Sequence, residues 1–372
     1  MIARLKSYAG RGLVPVLSIL LALLVASVLI IASGLVGPEK KVDLLLPLVA
    51  YRSLLVGSFG NFKGIANMIV AATPLMLTGL AVGVGLKAGL FNIGATGQVL
   101  VGGFAASLVG VLVAGASPWI AIPVAMLGGM LAGALTGFIP GFLKAFTGAH
   151  EVVTTIMLNA LAQLMVSGLV NDIFRVPGFS FARTAPVGNA TLTGLGNTTL
   201  HAGTIFAFVC IPISYWLLWR TTIGFEIRAV GANPTAALYA GMKPRRMMIL
   251  TMSLCGAFAG LAGAIEILRL GYYPAVFGTS IGFDGITVAL LGQSNPFGIM
   301  LSALLLGAMR AGAPLMQIQA RVPVEIIDVI QGIILIFLAA EVVVRKIFRL
   351  RAAQGAGELS TITRTYGEKV VG

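Results

Sequence analysis

Charge is what this sequence has least of: Asp, Glu, Lys and Arg together make up 10% of its 372 residues, against about a quarter in soluble domains. That shortage excludes an ordinary water-facing surface. Cysteine is nearly absent too. Cys210 and Cys255 both fall in apolar stretches, which argues against a disulfide framework and against a cysteine-held metal site. His150 and His201 are the only histidines and stand in no metal-ligand spacing. No GxxxxGK(S/T) run is present, so the chain has no loop of that kind to cradle nucleotide phosphates. Neither a Ser–His pair nor a paired-carboxylate constellation is visible for hydrolysis. The chain is therefore read as a non-enzyme, and any ATP-driven work it does needs a motor on another chain.

What is there is apolar. Hydrophobic residues make up 58% of the sequence and the mean hydropathy is +1.00. The net charge of +13 comes from basic residues that flank apolar runs, which is topological charge rather than a nucleic-acid surface. Against the roughly 20 apolar residues that a span needs, helices are predicted at Leu13–Val36, Ile65–Leu86, Gln98–Ala114, Trp119–Phe138, Val152–Val170, Thr204–Trp219, Met247–Leu268 and Val322–Val344. Two shorter pieces, Phe283–Leu291 and Phe297–Gly312, are broken at GQSNP. The predicted class is thus an all-α polytopic membrane protein with about ten transmembrane or half-transmembrane helices. The first run exceeds the roughly 7 to 15 residues of a signal-peptide core, so it is read as a span.

Basic residues set an orientation. With the N-terminus inside, 16 of the 25 Lys and Arg residues fall on the cytoplasmic side, the bias that membrane insertion favours. Residues 1–12 then form a cytoplasmic N-terminus, 13–345 the membrane domain with a cytoplasmic loop at 220–246, and 346–372 a cytoplasmic tail. Gly37–Lys63 and Asn171–His201 become outer loops. The stretches Phe91–Gly97 (FNIGATG) and Phe277–Gly285 (FGTSIGFDG) share a Phe–Gly–Gly rhythm in opposite halves, which points to a possible inverted five-plus-five repeat of the kind found in many transporters.

The polar loop Thr221–Arg246 carries a short helix that is readable residue by residue. Asn233 is a good N-cap, Pro234 fits the first helical position, and Gly241 follows the end. At about two turns it is too short to stand alone in water, so it is expected to dock on another protein. Within the membrane, Thr155, Asn159, Gln163, Ser167 and Asn171 recur at every fourth position. They can glue helices together or line a polar solute's path. Asn92, Thr96 and Gln98, with Phe91 beside them, mark a broken backbone that is either a capped turn or solute-facing. Glu266, Asp284, Arg310, Glu325 and Asp328 are placed near outer span ends, where water or pairing accounts for them. Gly129, Gly133, Gly137, Gly256 and Gly260 are spaced for close helix approach.

Four runs carry a family resemblance: FNIGATGQVLVGGFAA (Phe91–Ala106), GAHEVVTTIMLN (Gly148–Asn159), GFEIRAVGANPTAALYAGM (Gly224–Met242) and GFDGITVALLGQSNPFGIMLSALLLGAMRAG (Gly282–Gly312). In that order they resemble the inner-membrane permeases of ABC importers of the branched-chain amino acid and simple-sugar group, and most of all the nucleoside-uptake subfamily. The resemblance implies a bacterial inner-membrane subunit with both termini cytoplasmic. It also implies as partners a cytoplasmic ABC ATPase, a second homologous permease in a heterodimer, an extracytoplasmic solute-binding protein and membrane lipid. ATP and Mg would be used by the ATPase, with no cofactor on this chain. Gly224, Glu226, Arg228, Gly231, Asn233, Ala236, Ala237 and Gly241 match the family's ATPase-coupling motif. Phe91, Asn92, Gln98, Thr155, Asn159 and Gln163 are the candidate substrate path. Thr96 stands where the family has Glu, and Thr235 where an acidic or polar residue is expected. A simple-sugar permease is the alternative cargo, and an ion-driven secondary transporter or a structural membrane scaffold the alternative classes.

Overall fold

A computed structural model of the chain describes residues 2–36, 43–278 and 280–339, with the side chains of 2–14 and 33–36 left aside. The proposed tail 346–372 and the end of the last predicted span at Val344 lie outside the described residues. Regular structure among the described residues is helical: α1 (Ile2–Val36), α2 (Leu46–Phe59), α3 (Phe62–Lys87), α4 (Ala95–Leu112), α5 (Pro118–Thr147), α6 (Glu151–Gly168), α7 (Ala202–Arg220), α8 (Thr222–Ala232), α9 (Pro234–Tyr239), α10 (Pro244–Leu270), α11 (Ser280–Leu291), α12 (Pro296–Ala320) and α13 (Ile326–Ala339). Eight of these are long and apolar enough to cross a membrane, and α2, α11 and α13 are shorter apolar helices. The protein is an all-α, multi-pass membrane protein.

Each predicted span corresponds to one of these helices, and three differences have physical causes. First, α2 lies within the predicted outer loop Gly37–Lys63. Its 14 residues fall short of a span-length window, and Arg52 interrupts the apolar run. Second, α12 continues past Gly312 to Ala320, because Gln317 and Gln319 broke the hydropathy without breaking the helix. A consequence is that Arg310 is interior to α12 rather than near its end. Third, α8 precedes the short capped helix, so the polar loop is a two-helix elbow.

Packing reveals two equivalent halves. In one, α10 packs on α4 and α5, α4 on α5, and α6 on α4; in the other, α3 packs on α11 and α12, α11 on α12, and α13 on α11. Exchanging α3 with α10, α4 with α11, α5 with α12 and α6 with α13 converts one set of neighbours into the other. Gly231 in the elbow leading to the start of α10 sits against Lys87 and Ala88 at the end of α3, so α3 and α10 run in opposite senses. The repeat is inverted, and the correspondence covers four helices of each half.

The predicted glycine seam is where the first half closes. A Cβ on Gly133 would lie 2.3 Å from the Gly256 carbonyl oxygen and 2.6 Å from Gly260 Cα, and one on Gly137 would lie 2.2 Å from the Met252 carbonyl oxygen. Backbones touch there, and dispersion between packed helices replaces the hydrophobic drive that lipid cannot supply. On the other half, a Cβ on Gly312 would meet the Leu54 carbonyl oxygen at 2.3 Å. Ser53 Oγ donates to Gln319 Oε1 at 2.8 Å and Ser58 Oγ to the Ala308 carbonyl, tying α2 along the far end of α12.

Candidate translocation site and partner-facing elbow

Two broken helices start side by side inside the bundle. After α3 the backbone turns at Gly85, whose carbonyl accepts from Ala88 and Leu90 N–H at 2.9 Å each, and α4 begins only at Ala95. After α10 the chain re-enters through an irregular stretch, and α11 begins at Ser280. The two first turns touch: a Cβ on Gly282 would lie 2.3 Å from Thr96 N and 2.4 Å from Thr96 Oγ1. FNIGATG and FGTSIGFDG, which share a rhythm in sequence, therefore occupy equivalent places in the fold. Helix N-termini present unpaired N–H groups and partial positive charge, so this junction attracts electron-rich polar groups.

The proposed path residues divide here. Asn92 and Gln98 are buried and bonded to each other, Asn92 Nδ2 to Gln98 Oε1 at 2.9 Å and Gln98 Nε2 to Asn92 Oδ1 at 3.2 Å. Asn159 Oδ1 accepts from Gly97 N–H at 2.8 Å while its Nδ2 donates to the Ile93 carbonyl at 2.9 Å. These three side chains brace the break. Thr155 is buried, donates to the Glu151 carbonyl at 2.7 Å, and packs beside Gly94. Phe91 is half-buried against the core. Gln163 is exposed and apart from the others. A step of four residues overshoots one helical turn by about 40°, so the ladder winds off the packed face, where Ala162, Val166 and Val170 take over.

Ionisable groups form a second polar cluster. Arg310 is ion-paired with Asp284, just past the first turn of α11. Arg310, Ala313 and Pro314 of α12, with Glu325, Ile327 and Asp328 at the start of α13, line a cleft of about 380 Å³. Glu266 pairs with Arg269 one turn away on α10. Lys144 at the end of α5 pairs with buried Glu151 at the start of α6 at 3.0 Å, a contact that sequence reasoning missed because the two lie on separate elements. The signal was the acidic residue in GAHEVV, just where a helix N-terminus favours a carboxylate.

The elbow is built as its sequence suggests, with a division of labour that the sequence hides. Asn233 Oδ1 accepts from Ala236 N–H at 3.0 Å, Pro234 opens α9, and Gly241 follows at φ +83°. A Cβ on Gly224 would meet the Leu217 carbonyl oxygen at 2.0 Å, and one on Gly231 the Lys87 carbonyl oxygen at 2.3 Å. Arg228 Nε donates to the Leu218 carbonyl at 3.0 Å, with its guanidinium 5.8 Å from the Trp219 ring centre. These residues, with buried Ala237, fasten the elbow to its own chain, and Glu226 is half-buried beside them. Asn233, Ala236 and Gly241 face outward with Leu238 and Tyr239, the latter 89% exposed. Sequence reasoning passed over that Leu–Tyr tip, whose signal was two large apolar side chains on a helix otherwise made of small residues.

Comparison with known proteins bears on both sites. Residues 64–339 match the family described as branched-chain amino acid transport system / permease component. The chain is 37% identical over 350 residues to a guanosine ABC transporter permease protein of Bacillus subtilis (strain 168), covering 92% of this chain and 97% of the relative. It is 33% identical over 377 residues to a nucleoside ABC transporter permease protein of Lactococcus lactis subsp. cremoris (strain MG1363), covering 96% and 98%. A glucose ABC transporter permease protein of Haloferax volcanii is 33% identical over 338 residues, covering 87% and 86%. No solved structure matches the chain.

Proposed function

From the premise that this chain belongs to the family of branched-chain amino acid transport system permease components, we propose that it is a membrane subunit of an ATP-binding-cassette importer whose cargo is a nucleoside. The observation that carries the cargo is the near end-to-end similarity to permeases named for guanosine and nucleosides, with the glucose permease matching over a smaller share. The elbow is the motor contact: the Leu238–Tyr239 tip, with Asn233, Ala236 and Gly241 around it, enters a groove of a cytoplasmic ATPase, while Gly224, Arg228, Gly231 and Ala237 transmit its movement to α7 and α3. ATP and Mg are bound by that ATPase and not by this chain. The N-terminus and the elbow lie in the cytoplasm of a bacterial inner membrane, as the bias of basic residues favours. A second, distinct homologous permease completes the pore, and an extracytoplasmic solute-binding protein delivers cargo to the opposite face. Transport then proceeds by alternating access around the junction of α4 and α11.

The test is uptake by the assembled importer in proteoliposomes carrying internal ATP, with labelled guanosine and labelled glucose offered through the solute-binding protein. Saturable guanosine uptake that stops without ATP is the expected result. Uptake that persists without ATP while an ion gradient is held would refute the importer, and glucose uptake in place of guanosine would refute the cargo.

A further inference from the structure

The uncovered side of α5 ends in a charged corner. The small residues of this helix are turned to α10: a Cβ on Gly141 would lie 2.8 Å from Met252 Cβ and 3.1 Å from Ile249 Cα, continuing the seam of Gly133 and Gly137. Another side carries no small residue. Leu131, Leu135, Phe138, Phe142 and Phe146 are exposed and recur every three or four positions, so they form one stripe. Its aromatic part is ordered, with ring centres 5.8 Å apart between Phe138 and Phe142 and 4.7 Å apart between Phe142 and Phe146. The 30 residues of α5 reach about 45 Å, well beyond a hydrocarbon core of roughly 30 Å. Phe146, the last but one of them, therefore lies at headgroup depth, with Phe142 and Phe138 about 6 and 12 Å deeper.

A basic cluster meets the stripe at that depth. Lys243, Arg245 and Arg246 at the start of α10 are exposed, and none of them forms an ion pair with a described carboxylate. The first turn of α10 holds no acidic residue, although the positive end of a helix dipole disfavours cations. Arg245 shares a face with Ile249 and Met252, which pack on α5. Its guanidinium carbon stands 5.8 Å from the centre of the Phe146 ring, within reach of a cation–π contact. That ring is 57% exposed, so Arg245 leans over the end of the aromatic stripe.

The two features together define the occupant. A bulky apolar stripe suits acyl chains, whereas a second helix packs closely only where small residues let it approach. Cations at headgroup depth attract a negatively charged headgroup, and a zwitterionic lipid would leave them uncompensated. We propose that this corner is a binding site for an anionic phospholipid. The phosphodiester accepts from Arg245 and Arg246, and an acyl chain lies along Phe146, Phe142 and Phe138. The site requires only that the chain spans a membrane and is independent of its cargo.

The experiment counts lipids bound to the full-length chain in a neutral detergent, by native mass spectrometry during titration with dioleoyl phosphatidylglycerol or dioleoyl phosphatidylcholine. Phosphatidylglycerol should bind at least about tenfold more tightly, a preference that shrinks as salt is raised. One cation beside an anionic lipid is worth about fivefold, so Arg245→Gln should weaken phosphatidylglycerol by about fivefold and its combination with Arg246→Gln by about 25-fold. Arg245→Lys keeps the charge and should keep most of the binding. Arg220→Gln removes an exposed cation from the end of α7, which packs on α3 and α12, and should change binding by less than about twofold. The site is refuted if phosphatidylglycerol binds no better than phosphatidylcholine, or if Arg220→Gln acts as strongly as Arg245→Gln, which marks diffuse charge. Displacement of the lipid by millimolar inorganic phosphate would mark a free-anion site and overturn the lipid assignment. So would unchanged lipid binding in Arg245→Gln alongside weaker co-purification of the ATPase, which gives the corner to the motor. A wild-type preference that does not respond to salt refutes the site even where a variant fails to fold.

Discussion

Replacing Asn159 by Leu separates bracing from solute contact at the break before α4. Both ends of the Asn159 amide are engaged with backbone, Oδ1 with Gly97 N–H at 2.8 Å and Nδ2 with the Ile93 carbonyl at 2.9 Å. Leucine has similar volume, so it opens little cavity, but it leaves one N–H and one C=O without partners in a region that water reaches poorly. Each orphaned group costs about 1–3 kcal/mol, so the variant should lose about 2–6 kcal/mol of stability. Asn159→Asp keeps an acceptor for Gly97 but sets a carboxylate oxygen against the Ile93 carbonyl, so it should also fall below wild type. The assay is the thermal midpoint of the detergent-purified chain beside guanosine uptake by the reconstituted importer. Midpoint and uptake falling together in both variants is the expected outcome. A midpoint at the wild-type value with uptake abolished would refute the bracing argument and return Asn159 to the solute path.

Five further substitutions test other parts of the fold. Gly133→Val should prevent accumulation of the folded chain, because the new Cβ must occupy a point 2.3 Å from the Gly256 carbonyl oxygen; Gly148→Ala, at φ +70° with open space around it, should cost only about 1–2 kcal/mol and still fold, as size-exclusion profiles of the two variants will report. Tyr239→Ala should leave the permease intact and weaken co-purification of the ATPase, whereas Arg228→Glu should loosen the chain's own elbow, read as faster proteolysis between α7 and α8; equal effects of both on ATPase binding alone would overturn the division of labour. Finally, burial, helped by the Arg269 charge and opposed by Glu266, lowers the His201 pKa from 6.5 to about 4. The unfolded chain therefore binds the proton first, so this stability is full above about pH 6.5 and is lost as pH falls toward 4, by up to about 3 kcal/mol. His201→Phe should flatten that slope in melting curves recorded across the window, and an unchanged slope would contradict the assignment.

Much of this was legible because membrane burial writes itself into long apolar runs. The ten predicted helices, the Gly129–Gly137 seam and the Asn233–Pro234 cap follow from local rules that tertiary structure does not override. What escaped depends on partners distant in sequence. Leu46–Phe59 is recognisable as membrane structure only once Ser53 and Ser58 are seen bonded to Gln319 and Ala308 of α12. The ladder from Thr155 to Asn171 keeps a perfect spacing of four, yet a helix turns every 3.6 residues, and Gln163 ends on the exposed side. Arg310 was misplaced for a related reason: where a span ends decides whether a charge lies at its edge or in its middle.

The inverted repeat makes the two polar clusters comparable, and the comparison is unequal. Gln98 lies in the first turn of α4, and Asp284 follows the first turn of α11. In the first half the polar capacity is consumed internally: Asn92 and Gln98 satisfy each other, and Asn159 is spent on the Gly97 and Ile93 backbone. In the second half Asp284 has Arg310, while Gln331 has no partner among the described residues and Glu325 and Asp328 line an open cleft. Satisfied polar groups rigidify, and groups with unspent bonds are those that a solute can reward. The first half therefore spends its polar groups on holding the break before α4, so substitutions of Asn92, Gln98 and Asn159 should act first on stability.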